Sequence, residues 1–205
     1  GYFGSQSIVF GTDTLTNMSA FLGITDAFIV KYDALGNVLW TKRAGYIFGD
    51  RASDITTDAS GNVYVTGLFD TQITFGSFTV SSGASYTQTF IVKYDSAGNA
   101  LWAKSSTASS TSASSYGTGV STDDSGNVYI TGGTAYAPVT FGTTTLANAG
   151  GQDMFIVKYD ASGTMQWARG AGGTGQEYGH DIAADAAGNV YIVGDFASPF
   201  MVFGT

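Results

Sequence analysis

Apolar and polar positions alternate over short stretches of this chain, and turn pairs such as Gly-Asn interrupt the alternation at regular points. Asp54-Ile55-Thr56-Thr57-Asp58 has period two, as do 119–123 and 181–185, so each reads as a strand with one buried face. A tight turn, Ala59-Ser60-Gly61 in the first instance, leads into a second strand over 62–67, with copies at 127–132 and 189–194. The third strand, Phe28-Ile29-Val30-Lys31-Tyr32, is almost continuously apolar, which predicts burial on both faces; it returns at 90–94 and 155–159. Asp33-Ala34-Leu35-Gly36-Asn37 then turns the chain into a fourth strand over 38–42, matched at 100–104 and 165–169. Gly-Asn supplies the positive-φ positions that hairpin turns need. No stretch shows a helical period.

Every landmark recurs after about 62 to 65 residues, a fixed period that marks a repeat architecture. An insertion between the second and third strands, marked by Phe75-Gly76, Phe141-Gly142 and Phe203-Gly204, predicts an extra small hairpin or loop. A four-stranded antiparallel unit exposes two edges and two faces, and radial packing buries the faces while leaving short, protected edges. The expected fold is therefore all-β, a β-propeller of four-stranded antiparallel blades. The competing stacked β-solenoid has shorter coils and lacks two successive tight hairpins per repeat. Blades are expected at 46–108 and 109–171, with partial blades at 1–45 and 172–205. Residues 1–12 match 194–205, including Phe3 with Phe196 and Phe10 with Phe203. Propellers hold about four to eight blades, so the chain is expected to be a segment of a larger propeller, or a protomer completed by further blades in the same or another chain.

Composition narrows the partners. The formal net charge is −8, which gives no basic footprint for a phosphate backbone, so nucleic acid is not an expected partner. Lys31, Lys93 and Lys158 form one repeat-matched set of cations and Lys42, Lys104 and Arg169 another, leaving Arg43 and Arg51 off pattern. There is no cysteine, which excludes disulfides and thiolate metal sites. No apolar run reaches the roughly 18 to 20 residues of a spanning helix. The chain starts at Gly1 without an initiator methionine or a signal-peptide pattern, so targeting information is expected to have been removed or to lie outside this segment. Abundant Ser, Thr, Asn and Gly with few Lys suit a secreted or surface protein.

The ordered series Phe-Ile-Val-Lys-Tyr-Asp, Gly-Asn, Trp, then Asp-x-x-Gly-Asn-Val-Tyr-Ile/Val-Thr-Gly resembles the SBBP-type β-propeller repeat of bacterial surface and secreted proteins. The resemblance covers essentially the whole chain and implies a propeller module of a large exported bacterial protein, with no catalytic residues to carry over. Thr164 in place of Asn, Gly119 in place of the strand-one Asp, and Val193 in place of Thr depart from the pattern.

Repeat-matched residues read as architecture. Lys31, Lys93 and Lys158 in apolar strands are expected to pair with aspartates such as Asp58, Asp123 and Asp185. Trp40, Trp102 and Trp167 are expected to pack between blades; with Asp33 and Gly36 and their copies, they resemble the Asp-box of sialidase-like propellers with one residue too many. The Asp-x-x-Gly-Asn loops from Asp58, Asp124 and Asp185 carry too few carboxylates for calcium and read as turns; no metal or cofactor is expected. Six tyrosines break the repeat: Tyr2, Tyr46, Tyr86, Tyr116, Tyr136 and Tyr178. Apart from Tyr2, these are the candidate binding residues, for a protein or glycan surface. The expected function is a non-enzymatic adhesion or scaffold module, extracellular or on a bacterial cell surface. Alternatives are a carbohydrate-binding propeller and a hydrolase or lyase, the latter resting on Arg43, Arg51, Asp50, Glu177 and His180 converging on one cleft.

Overall fold

The computed structural model describes residues 1–19, 23–83, 87–108 and 110–203. Six turns of one shape organise it. In each, an aspartate Oδ1 accepts the N–H groups two and four residues on, at 2.8–3.0 Å: Asp33, Asp58, Asp95, Asp123, Asp160 and Asp185. The glycine three residues after each aspartate has φ between +76° and +84°, a region that a side chain disfavours. Oδ2 accepts the Asn side chain in five turns; in the sixth, where Thr164 stands, Gln166 Nε2 takes its place at 2.9 Å. In the second copy Asp123, not Asp124, ties the turn.

These turns join antiparallel strands. In chain order they are β1 (Tyr2–Phe3), β2 (Ser7–Phe10), β3 (Asp13–Thr16), β4 (Asp26–Tyr32), β5 (Val38–Ala44), β6 (Asp50–Thr57), β7 (Val63–Asp70), β8 (Gln72–Phe75), β9 (Phe78–Ser81) and β10 (Thr87–Tyr94). Then come β11 (Ala100–Ala108), β12 (Ser114–Thr122), β13 (Val128–Ala135), β14 (Val139–Phe141), β15 (Thr144–Leu146), β16 (Gln152–Tyr159), β17 (Met165–Gly172), β18 (Glu177–Ala184), β19 (Val190–Phe196) and β20 (Val202–Phe203). Among the described residues there is no helix.

Two full four-stranded meanders run β6–β7–β10–β11 and β12–β13–β16–β17, flanked by β1–β4–β5 and β18–β19. The first strand of each unit starts about four residues earlier than its alternation predicts and carries a bulge, at Ala52/Asp54, Gly117/Gly119 and Gly179/Asp181. The bulge drives a carbonyl against the partner strand: a Cβ on Gly67, Gly132 or Gly194 would stand 1.9–2.0 Å from Arg51 O, Tyr116 O or Tyr178 O. That is why each second strand carries glycine at this point.

The insertions reach backward. Hairpin β14–β15 adds to β11, the outer strand of the preceding unit, and β20 adds to β17. Hairpin β8–β9 meets the chain just past β5 through a Gly45–Thr74 bridge. β14 and β20 therefore seal edges that would otherwise expose unpaired N–H and C=O groups.

The core lies between units rather than within them. Tyr64, Ile91 and Trp102 of one meander share a cluster with Ile130, Phe141, Phe155, Val157 and Tyr159 of the next. Ala27, Ile29 and Ala44 likewise join Val65, Phe69, Phe75, Phe90 and Tyr94. Nearer the opposite edge, β12 lies against both β6 and β18, and Val120 N–H donates to Asp54 Oδ2 across units at 2.8 Å.

Because Asp123 accepts four hydrogen bonds in its turn, counting Tyr129 Oη, Asp123→Ala is expected to lower stability by about 2 kcal/mol. Urea denaturation checks this, with Asp124→Ala, which ties no turn, as the near-neutral comparison.

Candidate functional site

The repeat-matched lysines do not pair with carboxylates as their sequence context predicts. Lys31 Nζ donates to Ser96 O at 2.8 Å and Lys93 Nζ to Ala161 O at 3.2 Å, each acceptor lying in the third-to-fourth-strand turn of the next unit. Trp40 Nε1 and Trp102 Nε1 donate to the same two carbonyls, at 3.1 and 3.2 Å. Lys93 and Lys158 stand 5.1 Å from the ring centroids of Tyr64 and Tyr129. Asp58 and Asp123 are not open to an ammonium because Asn62, Tyr64, Asn127 and Tyr129 already occupy their Oδ2 atoms. Among the described residues the ion pairs are Arg43–Asp26 at 3.1 Å and His180–Asp195 at 3.0 Å. The turn end of the units is thus filled by packing.

The opposite end differs from unit to unit. There the start of a third strand meets the start of the next unit's first strand. At the middle junction the meeting residues are neutral: Ser106 Oγ donates to Gln88 Oε1 at 2.8 Å and lies 2.7 Å from Ser115 Oγ. The counterparts of Gln88 and Ser115 at the outer junctions are acids, Asp26 with Asp50 and Asp153 with Glu177, all four buried. Tyr46 N–H donates to Asp50 Oδ2 and Met18 N–H to Asp26 Oδ2, both at 2.8 Å, with Arg43 on the same Asp26 oxygen. The Oδ1 atoms of Asp26, Asp50 and Asp153 are buried without a partner. Burial, reinforced by the Asp26 and Asp70 charges, pushes Asp50 up to about 8 against the pull of the Tyr46 N–H. Burial also raises Asp26, opposed by Met18 and Arg43, and Asp153, where Glu177 adds repulsion. Glu177 accepts from Gly173 N–H and from Ser198 N–H and Oγ.

Three of the candidate tyrosines gather beside the last of these junctions; Tyr116 and Tyr178 hold the same place in successive units, where Arg51 stands in the unit before. Tyr116 Oη donates to Gln152 Oε1 at 2.8 Å and Tyr178 Oη to Gln176 Oε1 at 2.9 Å, while Gln152 and Gln176 are joined by a parallel backbone bridge. Tyr136 and Tyr178 are close enough to act electrostatically on Tyr116, whose hydroxyl burial raises. Tyr136 is 71% exposed, with φ +68°; Thr71 holds the equivalent place at φ +61°, so the conformation belongs to the repeat and the aromatic ring does not. Tyr178 stacks on His180, rings 3° apart in plane, and His180 holds Asp195. Arg169, Tyr178, Asp195 and Phe196 border a cavity of about 430 Å³ floored by Met154, Ile156 and Ile192.

Tyr46 stays at the first junction, apart from this group, and Tyr86 lies outside the described residues. Tyr2 is covered by the Arg51 guanidinium, 4.7 Å from its ring centroid. The five residues of the hydrolase reading are spread over the molecule: Arg43 and Asp50 at the first junction, Arg51 on Tyr2, Glu177 in a closed backbone cage, His180 on the surface. Sequence reading missed Gln152, Gln176 and Asp195. Their signal was the one used for the tyrosines, departure from the repeat.

A family model for the beta-propeller repeat SBBP matches residues 39–68, which run from β5 through the first two strands of the following meander. The chain is an SBBP-type repeat protein. Beyond the match to this repeat, an uncharacterized WD repeat-containing protein of Acanthamoeba polyphaga mimivirus is 32% identical over 189 residues, covering 80% of this chain. The chain spans 13% of that relative's length. In the SBBP-type units the rim bearing the acid pairs and the tyrosines is the part that varies, and it forms the candidate site.

Asp50 also gives the rim a pH dependence. Its folded value of about 8 exceeds the ordinary 3.8, so between those limits the native state holds a proton that the unfolded chain has released. Its stabilisation is complete below about pH 4 and lost as pH rises through about 8. The urea midpoint is expected to fall from pH 5 to pH 9, with a slope approaching about 1.4 kcal/mol per pH unit near pH 6. Asp50→Asn should flatten that profile; an unchanged slope would remove Asp50 as its source.

Proposed function

We propose that this SBBP-type chain is a non-enzymatic interaction module, displayed outside the cell on an exported bacterial protein, whose units form part of a propeller ring. Its ligand surface is the ledge of Tyr116, Tyr136 and Tyr178. One observation carries the reading: the aromatics repeated in every unit pack between units at the inner junctions, whereas Tyr116, Tyr136 and Tyr178 collect at one junction, the Tyr116 and Tyr178 hydroxyls anchored on Gln152 and Gln176. Anchored rings offer contact area at small entropic cost, which suits recognition of a large partner. The separation of Arg43, Arg51, Asp50, Glu177 and His180 supports binding over hydrolysis. The repeat type and the Lys-poor, Ser- and Thr-rich composition support export.

A glycan is the second reading, favoured by the flanking polar groups Gln152, Gln176, His180 and Asp195, which fit sugar hydroxyls beside an aromatic face. Both readings are tested by measuring binding of the purified chain to a panel of extracellular glycoproteins before and after enzymatic deglycosylation. Tyr136→Ala combined with Tyr178→Ala is expected to weaken binding at least about tenfold. Loss on deglycosylation assigns a glycan and persistence assigns a protein surface. Binding indifferent to both substitutions would place the ligand elsewhere.

A further inference from the structure

Directly beneath the tyrosine ledge lies a pair of buried acids that the neighbouring junction replaces with neutral groups. At that middle junction Gln88 Oε1 accepts from Ser106 Oγ, which lies 2.7 Å from Ser115 Oγ, and Gln88 Nε2 donates to Ala113 O at 3.1 Å. Those three side chains are uncharged and bonded to one another. Under the ledge the same three places hold Asp153, Ala171 and Glu177. Ala171 supplies no hydroxyl, and the two carboxyls are 3% and 0% exposed.

The pair is unequally furnished. Glu177 is satisfied as an anion, because Gly173 N–H donates to Oε2 at 2.8 Å while Ser198 N–H and Oγ donate to Oε1. Asp153 accepts Ala149 N–H on Oδ2, but its Oδ1 is buried without a partner, pressed on Gly172 where no Cβ would fit. The Gly173 N–H also acts on Asp153, so both carboxyls stand around one donor. No cation joins them. Arg169 donates to Ala168 O, Lys158 stands over Tyr129, His180 holds Asp195 at the surface, and Asp181 accepts Ile182 N–H. Tyr116 and Tyr178 place their hydroxyls on Gln152 and Gln176, while Tyr136 and Tyr191 are exposed. The groups turned on the two carboxyls are N–H and O–H donors, a set that suits one anion and one proton rather than a metal ion. Two adjacent buried carboxylates repel each other without solvent to screen them, and a proton on Asp153 removes that repulsion. The first junction divides its pair in the same way with the places exchanged: Asp26 is the anion, held by Arg43, and Asp50 is the acid, with one N–H and a bare Oδ1.

Asp153 and Glu177 directly follow Gln152 and Gln176, the residues that anchor two rings of the ledge. Gly151 N–H and Gln152 N–H both donate to Gly175 O, at 2.8 and 3.3 Å, and so tie the two segments together. Parting the acids breaks these bonds. We propose that one proton held between Asp153 and Glu177 locks this junction, and that its release as pH rises opens the Gln152–Gln176 bridge and disperses the tyrosine ledge. As regulation of a ligand surface the inference rests on the ledge reading; the lock itself is measured without a ligand. Burial and the Glu177 charge make Asp153 bind its proton more tightly in the folded chain than in the unfolded one. The lock is therefore complete below the ordinary value of 3.8 and is lost as pH rises through the raised one.

Amide hydrogen exchange, resolved by residue with NMR and divided by the rate of an unstructured peptide at the same pH, tests the lock. Protection of Gly151 and Gly173 is expected to fall at least about tenfold between about pH 4.5 and 8.5. Protection of Thr89, whose N–H donates to Ser106 Oγ and Ser115 Oγ at the neutral junction, is expected to stay level. Asp153→Asn should hold Gly151 level too, since its amide has no proton to lose. Should that variant not fold, the neutral set is transplanted as Asp153→Gln, Ala171→Ser and Glu177→Ser together, with the same expectation; the wild-type contrast of Gly151 with Thr89 needs no variant. Gly151 protection that ignores pH, a fall shared equally by Thr89, or a fall that persists in Asp153→Asn would overturn the lock. The glycoprotein panel, applied at the same pH values, separates the two readings: exchange that opens while binding stays constant keeps the lock and removes the ledge, and binding that falls while exchange stays level does the reverse.

Discussion

One backbone carbonyl per unit, Ser96 O or Ala161 O, receives an ammonium and an indole N–H from the unit before it, and the remainder of the architecture depends on that convergence. A lysine in an apolar strand is costly unless its head reaches an acceptor. Here the acceptor belongs to a neighbouring unit, so the strand is fully satisfied only when two units are pressed together. The same contact lays the turn glycine on the indole face and brings Tyr94 or Tyr159 beneath it. Stability is consequently a property of junctions, as in other repeat proteins where a unit cannot bury its faces alone.

Much of this was legible in the sequence because turn chemistry and strand period are local. The glycine positions of all six turns, the aspartates of five, the burial of the third strand and the all-β class follow from spacing alone; in the sixth turn Asp123 stands where Asp124 was expected. The partners of Lys31, Lys93 and Lys158 were not legible, because the aspartate oxygens expected to receive them are committed to Asn and Tyr of their own turns. The backward reach of hairpin β14–β15 escaped notice for a related reason: an edge-to-edge pairing between units leaves no mark in either segment. The acid pairs did leave one. Asp26 with Asp50, Gln88 with Ser115 and Asp153 with Glu177 change character together from junction to junction, a covariation inside a single chain that signals contact.

The candidate site was half visible by the same logic. Absence from the landmarks shared by all units drew attention to Tyr116, Tyr136 and Tyr178, which the fold gathers, but gave no means of separating them from Tyr46, which it does not. Only three-dimensional adjacency distinguishes a loop-packing aromatic from a member of a ledge, and the Gln152–Gln176 bridge that supplies it joins segments from neighbouring units. The two ends of the units thus carry different burdens. One is uniform and closed by hydrogen bonds; the other varies, holds buried acids and presents open rings.

The backward-reaching hairpins impose an order on synthesis. The outer strand ending at Ala108 emerges from the ribosome well before residues 139–146, which must lie along it. Until they do, the edge of β11 that β14 covers in the finished fold has no strand beside it.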